Sequence, residues 1–177
     1  MNILRELPRQ QRGAILVVSL ILLLIMTILA VTISQTSRMQ EKMTGNARDA
    51  DLSFQAAEAG LRNSEDYLTK LTVQPVTCSS DPCKVFQQSV MPSDLHAQDK
   101  SFWNAHATEY GVKNTQEIPG VTQDPQYIIE EAGFVPDSLT VGKGVPPGRT
   151  FYRNTAHSFG GTESAQTVVQ STFTRRY

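Results

Sequence analysis

The sequence predicts an α+β fold in which a long N-terminal helix, membrane-spanning in its first half, packs on a small antiparallel β-sheet. Three features predict it: an uncharged apolar run close to the N-terminus, a helical repeat of apolar and small residues continuing beyond that run, and several β-branched, partly alternating runs near the C-terminus separated by glycine and proline. A chain of 177 residues, 40% of them apolar, suits one ordinary domain plus an appendage. Its formal net charge of -1 offers none of the basic surface a nucleic-acid binder needs, so no nucleic-acid partner is expected.

The apolar run comes first. Ala14 to Ile33 contains no charge, proline or glycine, and its polar interruptions are Ser19, Thr27 and Thr32. At about 1.5 Å per residue, a helix of this length crosses about 30 Å of hydrocarbon. A buried soluble helix would alternate polar with apolar residues at helical period, whereas this segment is apolar all round. A cleaved secretory signal would have a shorter apolar stretch, about 7–15 residues, and a small-x-small cleavage site. Arg5, Arg9 and Arg12 stand before the run against the single Glu6, so the positive-inside rule keeps the N-terminus cytoplasmic and sends the remainder outside, with membrane lipid as the first partner.

The helix is expected to continue, because no proline occurs between Pro8 and Pro75. Thr36, Met39, Met43, Ala47, Ala50, Phe54, Ala57, Leu61, Ser64, Leu68 and Leu71 recur every three or four positions as one stripe between charged residues. For residues 50–71 the stripe is expected to pack on the domain. Residues 34–49 leave the bilayer before any domain can cover them, so Met39, Met43 and Ala47 need another helix, which points to an assembly. Gly45 and Gly60 weaken the helix by about 1 kcal/mol each relative to alanine.

Cys78 and Cys83 bracket Ser79-Ser80-Asp81-Pro82, a turn-forming sequence in which a disulfide is feasible. Two free thiols are the alternative, and a zinc site lacks two further ligands at suitable spacing. An oxidising compartment favours the bridge. Residues 72–125, with prolines at 75, 82, 92, 119 and 125, show no clear pattern; there Phe102 and Trp103 are expected in a satellite core or turn anchor rather than a ligand platform. Gln126 to Val135 predicts a strand, residues 141–148 a loop, and Arg149–Phe159 with Ser164–Arg176 a hairpin around Gly160-Gly161-Thr162-Glu163. The resulting meander would cover residues 50–71 of the helix.

No catalytic constellation emerges, so no enzyme activity, cofactor or metal is expected. His96, His106 and His157 are too scattered for a metal signature, and Gly142-Lys143-Gly144 lacks the spaced glycine and the hydroxyl residue of a phosphate loop. Glu58, Glu65 and Asp66 fit a solvated helix face better than a pair of catalytic acids.

Three runs carry a family resemblance: Arg12-Gly13-Ala14-Ile15-Leu16-Val17, Glu41-Lys42-Met43-Thr44-Gly45-Asn46-Ala47-Arg48-Asp49, and Phe54-Gln55-Ala56-Ala57-Glu58-Ala59-Gly60-Leu61-Arg62. Together they resemble the N-terminal region of PilX-type minor pilins of the type IV pilus. That resemblance implies a pilin-like fold and a class III leader, residues 1–13, cut by a prepilin peptidase between Gly13 and Ala14, with Ala14 then N-methylated. The mature chain would comprise a transmembrane helix over 14–34, its extracytoplasmic continuation over 35–72 and a globular domain over 73–177. It implies an inner-membrane, single-pass protein with a periplasmic domain, later carried to the cell surface in the pilus. It also implies a role in initiating pilus assembly and in twitching motility, with other minor pilins, the major pilin, the prepilin peptidase and the inner-membrane assembly platform as partners. Most pilin-like subunits have a glutamate at the fifth mature position, where this chain has Val18. A carboxylate in hydrocarbon is costly unless paired, so its loss suits a subunit with no neighbouring amine to meet, although drift would give the same residue. Two other readings remain. A minor pseudopilin of type II secretion shares the leader and helix and would affect enzyme export rather than piliation, and a signal-anchored sensor or envelope enzyme would keep its N-terminus uncut.

Overall fold

The computed structural model describes residues 12–112, 115–137 and 147–177. Most of the expected leader, residues 1–11, and most of the expected 141–148 loop lie outside the described residues. Helix α1 runs Arg12–Lys70, and two compact units divide between Gly45 and Asn46.

In the first unit every residue from Gly13 to Gly45 is exposed. The helix forms because nothing in this run breaks it and every backbone polar group beyond the ends is satisfied internally. Its hydroxyls turn inward as well. Ser19 donates to Leu16 O at 2.9 Å, Thr27 to Leu24 O at 2.8 Å and Thr32 to Ile28 O at 2.9 Å, which hides the polar interruptions of the apolar run against their own backbone.

In the second unit the rest of α1 lies on a four-stranded antiparallel meander of strands β1 (Thr108–Glu109), β2 (Gln126–Pro136), β3 (Gly148–Phe159) and β4 (Gln166–Arg175), in that spatial order. Strand β2 and the β3–β4 hairpin match the sequence reading to within two residues. The α+β arrangement, a long helix on a small antiparallel sheet, is the observed fold. One irregularity interrupts the β2–β3 register between Glu131 and Gly133, whereas β3 and β4 pair without a shift.

Both sheet faces are covered. On one, Leu61 and Leu68 of α1 join Tyr127, Ile129, Tyr152 and Ala156. On the other, Ile128 packs with Phe86, Met91, Leu95 and Trp103, a layer built from the segment before β2. That layer contains a short 3₁₀ turn (Leu95–Ala97) and helix α2 (Lys100–His106), whose first turn is capped by Asp99 accepting from Phe102 N at 3.0 Å. Trp103 is fully buried and stacks on His157 with ring centroids 4.9 Å apart, so it is a core residue as expected. The layer is tied to the sheet by Phe86, which donates to Ile129 O at 2.8 Å and accepts from Glu131 N at 2.9 Å.

The helix face that meets the sheet corrects the expected stripe. Ala57 and Leu61 are buried as foreseen, but Ala50 is exposed and Phe54 is 47% exposed. Ser64 and Leu68 of the stripe are buried too, and Ser53, Ala56 and Gly60 join them on the inward face. The stripe is thus buried from Ala57 to Leu68, and only its start is displaced, Ser53 taking the place expected of Ala50 and Phe54. The reason is close approach. Small residues let the helix lie near the strands, and a Cβ on Gly60 would stand 3.1 Å from Pro125 Cβ and 3.5 Å from Ala156 Cβ. The inward hydroxyls are satisfied, Ser64 donating to Leu61 O at 2.6 Å, and Ser53 donating to Ala50 O at 2.8 Å while lying 2.6 Å from the Thr167 hydroxyl. A phenylalanine in the place of Ser53 would hold the two layers apart.

Candidate functional site

The first candidate surface is the apolar helix of the first unit. From Gly13 to Ser37 no residue carries a charge, and Val18 is 55% exposed among neighbours of the same character. The part from Ala14 to Ile33, apolar on all sides with the Ser19, Thr27 and Thr32 hydroxyls bonded internally, is stable in hydrocarbon or against other helices and unstable in water. It is long and apolar enough to cross a membrane and fits a single-pass anchor. Gly13 and Ala14, the expected cleavage junction, are both helical and exposed, and nothing lies within 4 Å of a Cβ placed on Gly13. Further along this unit Met39 and Met43 are each 66% exposed. Two unbranched, polarisable side chains on a solvent-facing helix are suited to packing against an irregular partner surface.

In the second unit Ala47, Ala50 and Phe54 also face outward, free of the sheet that covers the opposite side of the helix. The start of this unit is held by Asp49. Its carboxylate accepts from Gly161 N at 2.6 Å and Thr162 N at 3.2 Å and from the Thr162 hydroxyl, which places its pKa below the usual carboxylate range. The turn between β3 and β4 is therefore fastened to the helix. Gly160 is required there, since a Cβ would come within 2.5 Å of the Asp49 backbone oxygen. Sequence reading missed this clasp, because an aspartate inside a helix facing a distant Gly-Gly-Thr has no local signature.

The second candidate is an open cleft beside the Cys78–Cys83 disulfide, which the structure forms as expected. The cleft is lined by Asp81, Lys84, Asn104, His106, Thr108 and Gln126, and His106 Nδ1 pairs with the Asp81 carboxylate. Asn104 Oδ1 accepts from Gln123 Nε2 at 3.0 Å and Gln126 Nε2 at 2.9 Å. The polar groups thus mostly satisfy one another. His96 pairs with Asp94, and among the described residues no group of three or more side chains could hold a metal ion. The buried Glu130 is matched by Arg153, with Nη2 and Nε at 2.9 and 3.0 Å from Oε2. Burial raises the Glu130 pKa and the Arg153 charge opposes the rise, an arrangement of structural rather than chemical use.

A family model described as PilX N-terminal matches residues 12–62, and one described as Type IV pilus assembly protein PilX C-term matches residues 45–175. No curated protein and no solved structure matches the chain.

Proposed function

The chain belongs to the PilX family of type IV pilus assembly proteins, and from that premise we propose that it is a minor pilin that helps initiate the pilus and resides at or near its tip. The observation that carries the proposal is the run from Ala14 to Ile33 in the helix of the first unit, exposed and apolar on every side, with no carboxylate between Gly13 and Ser37. Such a helix is held by lipid before assembly and by neighbouring helices after it. Cutting after Gly13 by the prepilin peptidase and N-methylation of Ala14 would leave an amine at the head of the apolar run. With Val18 in the fifth mature position, the chain has no carboxylate for the amine of a subunit above, but its own amine can meet the glutamate of a subunit below. That asymmetry suits a subunit that enters first, with other minor pilins, on the inner-membrane platform and has major pilin added beneath it.

Mass spectrometry of sheared filaments tests the proposal. A methylated peptide beginning at Ala14, low copy number, gold-labelled antibody at filament ends, and loss of piliation and twitching on deletion are expected. Even labelling along the shaft would refute the tip position, and loss of enzyme export with intact piliation would refute the pilus itself.

A further inference from the structure

The two edges of the sheet are treated differently. The outer side of β2 is covered by β1 and by Phe86, which takes up the outward groups of Ile129 and Glu131. Strand β4 has nothing comparable. Gly160 N donates to Ala165 O at 2.8 Å, and the ladder from there runs without a shift, so alternate residues of β4 point their backbone groups away from β3. Those residues are Gln166, Val168, Gln170, Thr172 and Thr174, and their N–H and C=O groups have no partner among the described residues. From Gln166 to Thr174 the strand carries no charge, proline or glycine, and Val168, Val169 and Phe173 are only half-buried. Edge strands of soluble proteins are usually protected by lysine, proline, a bulge or short length. This one is long, regular and unguarded.

We infer that the outer edge of β4 is a strand-addition site, occupied in the assembled state by an extended, uncharged segment of a different protein running antiparallel to β4. Main-chain bonds from the five outward residues supply the affinity, and apolar side chains on both faces of the incoming strand finish the burial of Val168 on one side and of Val169 and Phe173 on the other. An antiparallel strand continues the meander with the stronger ladder. A charged segment would face an uncharged, half-buried strip and lose solvation.

A second copy of this chain does not fit the edge. Ser53 contacts Thr167, Glu65 accepts from Ser171, and Leu68 O accepts from Arg175, so the helix runs along β4 in the same direction. Antiparallel pairing of β4 with itself needs a two-fold axis perpendicular to the sheet, which reverses that helix segment and sends the Asn46 ends of two chains to opposite sides. Two chains that both lead into one membrane exclude this. The preference for a foreign strand therefore rests on the anchored reading above, whereas the open edge does not.

The test places a photo-crosslinking residue at Gln170 or Thr172 of the full-length chain in its own cells, with cross-linked peptides identified separately from membranes and sheared filaments. The expected result is one foreign protein, with the contacted position moving about two residues toward its N-terminus as the probe moves from 170 to 172. With the probe at 172, Gln170→Pro removes one outward N–H and leaves the β3 ladder whole; the yield should fall about tenfold, the effect of one unmade bond and its stranded acceptor. Gln170→Lys, which leaves the backbone unchanged, should lower it as well, and retained protease resistance reports that the domain is folded. Absence of cross-links, cross-links to another copy of this chain, contacts moving the opposite way, or a yield unchanged by the lysine variant would overturn the inference. Cross-links of the expected pattern in membranes, with no Ala14 peptide in filaments, would uphold the edge while refuting the proposed function.

Discussion

Arg153 and Glu130 show how a single charge holds a layer in place. The Glu130 side chain is 1% exposed and bonds Arg153, itself 35% exposed, through Oε2. Removing the arginine leaves a buried carboxylate without its counter-charge, so Arg153→Ala should destabilise the domain by about 3 kcal/mol, the lower end for a broken buried pair because the arginine is partly solvated. A chemical-denaturation midpoint equal to that of the parent chain would contradict this. His157 behaves differently. Burial against Trp103 and Phe159 lowers its pKa from the ordinary 6.5, so the folded domain favours the neutral ring. As pH falls through about 6.5 the unfolded chain takes up a proton that the folded chain resists, and stability present above that pH is lost toward the lower folded value. Denaturation midpoints measured between pH 7.5 and 5.5 should therefore decline, and His157→Phe should flatten the decline; equal slopes in the two proteins would refute the assignment.

At the scale of the element, helix α1 has two apolar faces with different purposes in the second unit. Leu61 is 8% exposed in the helix–sheet core and Phe54 is 47% exposed on the other side. Leu61→Ala should cost about 2–4 kcal/mol of domain stability, whereas Phe54→Ala should leave thermal unfolding nearly unchanged and reduce assembly instead. Comparable losses of melting temperature in both variants would show that Phe54 is structural. The inward face was present in the sequence as small residues, Ser53, Ala56, Ala57, Gly60 and Ser64, at helical spacing. An apolarity count ranks Phe54 above Ser53 and so misplaces the first turn of that face. The disulfide was legible because its whole loop lies within six consecutive residues rich in turn formers, while α2 and β1 were not. Their defining contacts, Trp103 on His157 and Thr108 on Tyr127, join residues far apart in the chain.

At the scale of the whole molecule, prediction rests on the junction Arg12-Gly13-Ala14 and the apolar run that follows it. Replacing Gly13 with a bulky residue should leave the protein in the inner membrane as uncut precursor, because a peptidase reading this junction needs a small residue beside the scissile bond. Immunoblots showing equal processing of the parent and a Gly13→Phe variant would end the leader hypothesis. Such a variant should leave the folded unit from Asn46 onward intact, since Gly13 belongs to the other unit.

The sequence alone determined the length and apolar character of the helix, the β2 strand, the β3–β4 hairpin and the disulfide loop. Each depends on a period or a turn contained within a few neighbouring residues, where backbone sterics and burial act locally. The tertiary structure alone decided that Ser53 rather than Phe54 faces the sheet, that Trp103 closes its second face, that Asp49 clasps the hairpin turn and that β4 is left with an open edge. These outcomes depend on which surfaces fit closely together, a condition set jointly by residues as distant as 49 and 161.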